Sequence, residues 1–301
     1  MSRPSPTVTV MMDAARAAGR RLIRDFGEVE NLQVSRKGPS DFVSAADKKA
    51  EEIIRKSLEK TRPGYGFLLE EGGEVQGSDK THRFIIDPLD GTLNFLHGIP
   101  HFSVSIGLER DGKLRAGVVF DPMRNECFWA EENQGAWLEN KRLRVGARRK
   151  LSEAVVTTGI PQLGKNGAEK FIDELVRVRA EVSAVRRFGS AALDLAWVAA
   201  GRFDGFWERD LQLWDIAAGF VLVQEAGGMT IGLDKKDATK GSFVTANTSL
   251  APKITELAQQ LLRKPFNVNV TPKTTSVKRI EQQVLFVEKA AKPTLLKQIV
   301  N

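Results

Sequence analysis

A short apolar run that ends in two carboxylates constrains this chain more than any other stretch. Residues 84–86 (Phe-Ile-Ile) lead directly into residues 87–91 (Asp-Pro-Leu-Asp-Gly). Because proline lacks a backbone N–H and glycine allows a sharp turn, we expect a buried strand that stops at Pro88 and a turn at Gly91. The groups that can then point to one place are the side chain of Asp87, the carbonyl of Leu89 and the side chain of Asp90.

Hard oxygen ligands of this kind suit Mg²⁺ or Mn²⁺, and a pair of such ions is a common device for in-line attack on a phosphate ester. Taken alone, the same five residues are equally typical of a plain turn after a strand. An EF-hand is excluded, because its loop needs an acid or Asn two residues after the first Asp, and position 89 is Leu.

The composition predicts a large globular protein. With 301 residues, 42% of them hydrophobic, the chain can bury a core as one large domain or two closely packed halves. Its apolar runs are far shorter than the roughly 20 residues that a membrane helix needs, and no apolar signal segment follows Arg3. We therefore expect a cytoplasmic protein without a membrane partner. A single cysteine, Cys127, excludes an internal disulfide and a cysteine-based zinc site.

The net charge of +7 belongs mainly to the C-terminal tail, residues 264–301. This tail has seven Lys or Arg and two Glu, so the rest of the chain has 38 basic and 36 acidic residues and is nearly neutral. A basic tail is a solvated appendage as readily as a binding arm. The charge therefore does not indicate a nucleic-acid-binding body.

Helical spacing of apolar residues from Val8 to Leu22 predicts an opening helix. A second helix should follow Ser44, an N-cap candidate with Asp47 three residues later. On its own, Asp47 is an ordinary first-turn acid that the helix dipole stabilises. Residues 67–71 predict a strand that ends in Glu70 and Glu71, although paired acids at a surface turn are commonly just solvated.

Two further patterns divide the rest of the chain. Alternation of apolar residues from 102 to 120 around Asp111-Gly112 predicts a β-hairpin in a meandering antiparallel sheet. From about residue 151, strands and helices alternate and indicate a second α/β layer. We therefore expect an α+β chain with an N-terminal half (1–150), a mixed C-terminal half (151–263) and the tail. Residues 189–191 (Gly-Ser-Ala) open a helix there, either as an anion site or as simple helix initiation.

Two long segments resemble the signatures of the inositol monophosphatase family of metal-dependent, lithium-sensitive phosphatases. The first is Asp87-Pro88-Leu89-Asp90-Gly91-Thr92-Leu93-Asn94-Phe95. The second is Trp214-Asp215-Ile216-Ala217-Ala218-Gly219, which leads into Glu225-Ala226-Gly227-Gly228. The resemblance runs from about Val8 to about Leu262. It implies a layered αβαβα sandwich of the sugar-phosphatase type.

The resemblance also implies roles for single residues. Asp47 and Thr92 would orient the attacking water and help to deprotonate it, and Lys37 falls on a flap that closes over the site. Two or three Mg²⁺ ions, with Mn²⁺ as an alternative, would be held by Glu70, which also counts as catalytic, Asp87, the Leu89 carbonyl, Asp90 and Asp215. The implied substrate contacts are Asp90, Gly91, Thr92, Gly189, Ser190, Ala191 and Glu208.

Residues 187–196 and 205–208 look most like the bacterial inositol-1-monophosphatase subgroup, in which the residue matching Glu208 hydrogen-bonds inositol hydroxyls. We therefore expect hydrolysis of myo-inositol 1-phosphate by metal-activated water, in a homodimer. Alternative substrates in the family are 3′-phosphoadenosine 5′-phosphate, fructose bisphosphate, histidinol phosphate and NADP. A hypothesis of another class is a non-catalytic partner of RNA polymerase or antitermination factors, with Arg186, Arg187 and Arg202 on the contact surface.

Overall fold

The structure is a computed structural model that describes residues 3–28, 34–36, 42–161 and 168–259. The elements of the first half are, in chain order, α1 (Pro6–Phe26), β1 (Val34–Arg36), β2 (Phe42–Ser44), α2 (Ala45–Thr61), β3 (Gly66–Leu69), β4 (Gly73–Val75), β5 (His82–Asp90), α3 (Thr92–Leu96), β6 (Ser103–Arg110), β7 (Lys113–Asp121), β8 (Glu126–Glu131), β9 (Gly135–Leu138) and β10 (Lys141–Arg142). Those of the second half are β11 (Val155–Thr158), α4 (Ala168–Glu181), β12 (Ala184–Arg186), α5 (Ala191–Ala199), β13 (Gly205–Glu208), α6 (Leu213–Glu225), β14 (Gly228–Gly232), β15 (Phe243–Asn247) and α7 (Ala251–Gln259).

Two sheets carry the fold. The first has eight strands in the order β10-β9-β8-β7-β6-β5-β3-β4 and is antiparallel except for the β3–β5 pair. The second has five strands in the order β12-β11-β13-β15-β14, in which β11 runs parallel to β12 and β13. The predicted α+β class, with an antiparallel first sheet and a mixed second one, is confirmed.

Helices cover the sheets in alternating layers. Buried residues of α1 and α2 share a core with one face of the first sheet. Those of α5 and α6 pack between the two sheets, and buried residues of α4 and α7 pack on the outer face of the second. The order is αβαβα, as the resemblance implied. The boundary expected near residue 150 falls between the two sheets and remains a prediction, and the tail 264–301 lies outside the described residues.

The opening helix shows how local sequence sets these layers. Ser5 caps α1 by accepting a hydrogen bond from the Val8 N–H at 3.3 Å, and Pro6 occupies the first turn, where its missing N–H costs nothing. Gly19 faces the sheet so closely that a Cβ there would lie 2.4 Å from the Phe120 ring. The helix therefore packs directly on β7.

The strand that carries the two aspartates differs from the expectation. The predicted end at Pro88 is wrong, because β5 continues to Asp90. Asp87 pairs with Ser105 and Asp90 with Ser103, and the register shifts between them. Pro88 falls inside this irregular stretch, where its missing N–H removes no regular ladder bond, as is usual for proline at a bulge.

The central helix α6 reaches the first sheet through two glycines. A Cβ at Gly117 would lie 2.3 Å from the Ala218 carbonyl oxygen, and one at Gly107 would lie 2.8 Å from the Ala217 Cβ. Only glycine at these points lets the helix backbone lie against β6 and β7. The contact brings the N-terminal end of α6 to the end of β5. Within the described ranges, no helix combines the length and apolar character that a membrane crossing requires.

Candidate active site

The site lies where two parallel strands end at the same edge of the first sheet. Leu69, the last residue of β3, pairs with Ile86, the residue before Asp87. The Glu70 N–H continues this pairing by donating to the Ile86 carbonyl at 3.2 Å. Glu70 and Asp87 therefore start from neighbouring positions on adjacent strands.

The irregular end of β5 directs its polar groups through local hydrogen bonds. The Leu89 N–H donates to Asp87 Oδ1 at 2.9 Å, so the first aspartate folds over the bulge. Gly91 follows with φ +100°, a left-handed conformation that side chains disfavour. A Cβ there would also lie 3.1 Å from the His101 carbonyl oxygen and 3.3 Å from that of Gly189. The turn therefore requires glycine for both conformation and space.

The Thr92 hydroxyl lies between two acceptors, Asp47 Oδ2 at 3.3 Å and the Leu89 carbonyl at 3.0 Å. A hydroxyl carries one hydrogen, so Thr92 donates to one of them at a time. Donation to Asp47 leaves the Leu89 oxygen available as a ligand. Helix α2 and the end of β5 thus meet at Thr92.

Carboxylates from four elements converge here. Oxygens of Asp47, Glu70 and Glu71 lie within 4.8 Å of one another, with Asp47 buried and both glutamates half-buried. The pKa of Asp87, which is 2% exposed, is raised well above its ordinary value by burial and then by the charges of Glu70, Asp90, Asp215 and Asp47. Acids from α2, the turn after β3, β5 and α6 thus lie close enough for their charges to act on Asp87.

The donor set fits a divalent cation. In the part of the chain that the structure describes, Asp87 and Asp90 form no ion pair with a basic side chain. Buried like charges are unfavourable unless protons or a cation neutralise them. Carboxylate and carbonyl oxygens are the ligands that Mg²⁺ and Mn²⁺ prefer. The arrangement can therefore hold such an ion without rebuilding the fold.

Asp90 also joins the two halves of the site. Its Oδ2 accepts hydrogen bonds from the Ser190 hydroxyl at 2.6 Å and the Ala192 N–H at 2.7 Å, at the start of α5. Burial raises the pKa of Asp90 to about 6, although these hydrogen bonds oppose the rise. The N-terminus of α5, expected from the sequence to be an anion site or a simple helix start, holds a carboxylate of the protein itself.

Asn94 makes a second connection between the halves, and sequence reasoning gave it no role. Its buried side-chain amide donates to the carbonyls of His101 and Phe188, both at 2.8 Å. The second acceptor lies 94 residues away in sequence, so only the tertiary structure identifies it. Asn94 holds the loop before residues 189–191 against the turn at Gly91.

Glu208 lies at the end of β13 with its carboxylate over Gly159. A Cβ at Gly159 would lie 1.7 Å from Glu208 Oε1, so the acid occupies the space that a side chain there would need. Burial raises the pKa of Glu208 well above its ordinary value, and the charges of Asp194, Asp215 and Asp90 add to the rise. Asp194, 2% exposed, is a further buried acid near Glu208 that the sequence did not single out.

Asp215 is the third residue of α6, which begins at Leu213. Its Oδ2 accepts the Gln212 N–H at 2.7 Å, so it caps its own helix. The Ser105 hydroxyl donates to the Trp214 carbonyl at 3.4 Å and holds this helix end against β6. Lys37, the predicted flap residue, lies outside the described residues.

Comparison with known proteins identifies the class. The chain belongs to the inositol monophosphatase family, whose sequence model matches residues 3–264. The family recognised from the two signatures is therefore confirmed.

Individual relatives agree over most of the chain. It is 55% identical over 258 residues to the inositol-1-monophosphatase of Rhizobium meliloti, which covers 85% of this chain and 97% of the relative. It is 44% identical to the Nus factor SuhB of Escherichia coli over 74% of this chain and 84% of the relative. The crystal structure of the extragenic suppressor protein suhB from Bartonella henselae superposes with a TM-score of 0.83 at 52% identity, covering 85% of this chain and 99% of the other.

Proposed function

We propose that this protein is a Mg²⁺-dependent phosphatase that hydrolyses myo-inositol 1-phosphate to inositol and phosphate. The observation that carries the proposal is the convergence of carboxylates from four elements on Asp87, at the edge where β3 and β5 end. The 55% identity to a protein named inositol-1-monophosphatase supports the substrate. Family membership supports phosphate-ester chemistry.

The ligands would be Glu70, Asp87, Asp90, Asp215 and the Leu89 carbonyl, for two or three Mg²⁺ ions, with Mn²⁺ as the alternative. Bound divalent cations supply Lewis-acid stabilisation of phosphoryl and leaving-group oxygens and lower the pKa of a bound water. Asp87 and Asp90 are held ready by the hydrogen bonds of Leu89, Ser190 and Ala192. Preorganised ligands of this kind need little rearrangement before the reaction.

The attacking water would be handled by Asp47 and Thr92. When the Thr92 hydroxyl donates to Asp47, its oxygen can accept a hydrogen bond from water and orient it. Asp47 can then take up the proton as a general base through the threonine hydroxyl. Water attacks the phosphorus, the ester P–O bond breaks, and the alkoxide of inositol leaves with a proton from solvent. No covalent enzyme intermediate is required.

The inositol ring would contact the end of β13. Glu208 is the candidate for its hydroxyls, because its carboxylate lies at that strand end, in space that the missing side chain of Gly159 leaves open. Gly91 and Thr92 would contact the phosphate, and residues 189–191 lie beside them, with the Gly189 carbonyl next to Gly91. The Ser190 hydroxyl and the Ala192 N–H already donate to Asp90, so residues 189–191 would contribute mainly through the shape of the pocket beside Gly91.

Phosphate release from inositol 1-phosphate, compared with 3′-phosphoadenosine 5′-phosphate under a lithium titration, tests this proposal. We expect Mg²⁺-dependent turnover, a clear preference for the inositol ester and inhibition by lithium. Preference for the nucleotide would retain the phosphatase chemistry and reject the substrate. Hydrolysis of neither ester in the presence of Mg²⁺ would reject the proposed activity.

A second candidate function rests on the 44% identity to a protein named a Nus factor. In that role the chain would bind RNA polymerase or antitermination factors without using its catalysis. Arg186, Arg187 and Arg202 are all exposed, but the Arg187 guanidinium lies beside Gly189, and Arg202 pairs with Glu126 and lies over the Trp197 ring. Binding of purified transcription factors by an Asp90→Asn protein, lost on replacing Arg186 and Arg187 by Ala, would support this role.

The proposal also includes a homodimer in the cytoplasm. Light scattering coupled to size-exclusion chromatography measures the molar mass directly. A mass near twice the 33.3 kDa of the chain is the expected result.

A further inference from the structure

Helix α2 carries a second acid on the face that carries Asp47. Glu51 follows Asp47 by four residues, a spacing that places two side chains on one helix face. It is 8% exposed, and its Oε2 accepts a hydrogen bond from the Glu71 N–H at 2.9 Å. The same carboxylate also lies close to Gly72, where an added Cβ would be 2.9 Å from Glu51 Oε1.

The turn that Glu51 contacts determines where two acids of the site point. Pairing with β5 ends at Glu70, whose N–H still donates to the Ile86 carbonyl. At Glu71 the chain leaves β5, and its N–H turns to the Glu51 carboxylate instead. Two glycines follow, and Gly73 has φ +71°. Pairing of Leu69 with Gly73 closes this turn, and because glycine restrains the backbone little, the Glu51 carboxylate adds a fixed acceptor within it.

We propose that Glu51 is a positioning residue that fixes the turn at residues 70–72, so that the carboxylates of Glu70 and Glu71 face Asp47. It acts through the backbone of Glu71, and it thereby sets the affinity of the site for a divalent cation. This inference rests on the metal site proposed above.

The chemistry of Glu51 supports a role beyond simple packing. Burying one more acid beside three others is electrostatically unfavourable. The hydrogen bond to the Glu71 N–H offsets that cost, because a carboxylate acceptor makes a shorter and stronger bond than a neutral one. One face of α2 thus contacts two parts of the site. Asp47 accepts a hydrogen bond from Thr92, and Glu51 accepts one from the turn after β3.

Mn²⁺ binding to metal-free protein, followed by the electron paramagnetic resonance signal of free Mn²⁺, tests the inference without relying on turnover. We expect Glu51→Ala to raise the Mn²⁺ dissociation constant roughly 10- to 100-fold, the usual effect of removing a group that orients a metal ligand. Glu51→Gln keeps an oxygen that can accept the Glu71 N–H, so it should restore most of the affinity. In a Glu70→Ala background, Glu51→Ala should have little further effect.

The matched control is Glu52→Ala on the same helix. Glu52 points to solvent, where it pairs with Lys56 at 2.6 Å with 61% of its side chain exposed. Its loss should leave the Mn²⁺ dissociation constant unchanged. Gly72→Ala is a second probe on the exposed turn, and it should also weaken binding, because its Cβ would crowd Glu51 Oε1 and the Leu69 side chain.

The outcomes separate this inference from the proposed function. Wild-type protein that binds no Mn²⁺ would overturn both. Wild-type binding with an unchanged dissociation constant in Glu51→Ala, even at a lower melting temperature, would show a purely structural role and overturn the inference alone. Should Glu51→Ala fail to fold, an unchanged constant in Gly72→Ala would overturn the inference in the same way.

Discussion

Two groups of carboxylates in this protein are balanced in opposite ways. Glu174 is fully buried in α4 and accepts a hydrogen bond from the Arg209 guanidinium at 2.8 Å, while the exposed Asp234 accepts hydrogen bonds from Arg209 at 2.7 Å and from Lys170 at 2.8 Å. Asp87 and Asp90 are also buried, yet other acids surround them and no basic side chain among the described residues pairs with them. The first group is neutralised within the chain, and the second is arranged for a cation from outside.

The pKa directions express this difference. Burial opposes the ionisation of Asp234, but hydrogen bonds from Lys170 and Arg209 outweigh it and lower the pKa of Asp234. At Asp87, burial and the neighbouring acids act in the same direction and raise the pKa. Replacing one acid of the site by a neutral side chain should therefore leave the free energy of unfolding unchanged or raise it. The same replacement in the Arg209 group should lower it.

Asp90→Asn should have the largest effect of the changes considered. It removes a proposed ligand, so kcat/KM for inositol 1-phosphate should fall about 1,000-fold or more, the equivalent of several kcal/mol of transition-state stabilisation. Asparagine can still accept the Ala192 N–H, so the melting temperature of metal-free protein should be unchanged or higher. Full activity in this variant would contradict the assignment of the site.

Glu174→Ala should act on stability instead. Removing one partner of a buried ion pair typically costs about 3–5 kcal/mol, and because Arg209 keeps its pair with Asp234 at 2.7 Å, we expect the loss at the lower end of that range. Denaturant unfolding measures the loss, with Glu181→Ala at the exposed end of the same helix as control. Activity well below the melting temperature should be retained. A variant as stable as wild type would show that the two groups do not differ as described.

Gly159→Ala probes Glu208, another acid whose pKa is raised by burial and by neighbouring acids. The new methyl would overlap the Glu208 carboxylate and displace it. We expect kcat/KM for inositol 1-phosphate to fall roughly 10- to 100-fold, the range that a displacement of about 1 Å can produce. Hydrolysis of p-nitrophenyl phosphate, which has no ring hydroxyls, should change little. Equal losses on both substrates would argue against a specific role for Glu208.

The smallest predicted effect is on pH dependence. The pKa of Asp90 is about 6 in the fold, against an ordinary value of 3.8. The folded state thus binds this proton more tightly, and metal-free protein should lose stability as the pH rises from about 4 to 6. Mg²⁺ offsets that loss, so its stabilising shift should be roughly 2–4 °C larger at pH 7 than at pH 5. Thermal melting measures the shift, and Asp90→Asn should reduce the difference without abolishing it, because the pKa of Asp87 is also raised.

Local patterns predicted much of the fold. The β6–β7 hairpin and its turn at Asp111-Gly112, both with positive φ, follow from alternation and turn chemistry alone. The prediction that β5 ends at Pro88 was wrong, because a sequence does not show that the register shifts at that point. The alternating layers became predictable only through the family resemblance.

The candidate site was predictable where the ligand residues stand in long signatures, as at residues 87–95. Their supports were not. Asn94 acts on Phe188 and Glu51 on the Glu71 backbone, contacts that join residues 94 and 20 positions apart. Asn94 stands within the first signature, but the signature does not show which carbonyls its amide binds, and Glu51 has no local pattern that separates it from an ordinary buried Glu. The contacts depend on how α2 and the second half pack on the first sheet.

The most direct measurement is a Mn²⁺ titration of metal-free protein, with binding and hydrolysis of inositol 1-phosphate followed together. We predict that wild type binds two or three ions and that activity rises with occupancy. A variant with both Asp87→Asn and Asp90→Asn should bind fewer ions and remain folded and inactive. Full hydrolysis in the presence of a chelator, or identical Mn²⁺ binding by the double variant, would contradict the view that these acids are gathered to hold a catalytic cation.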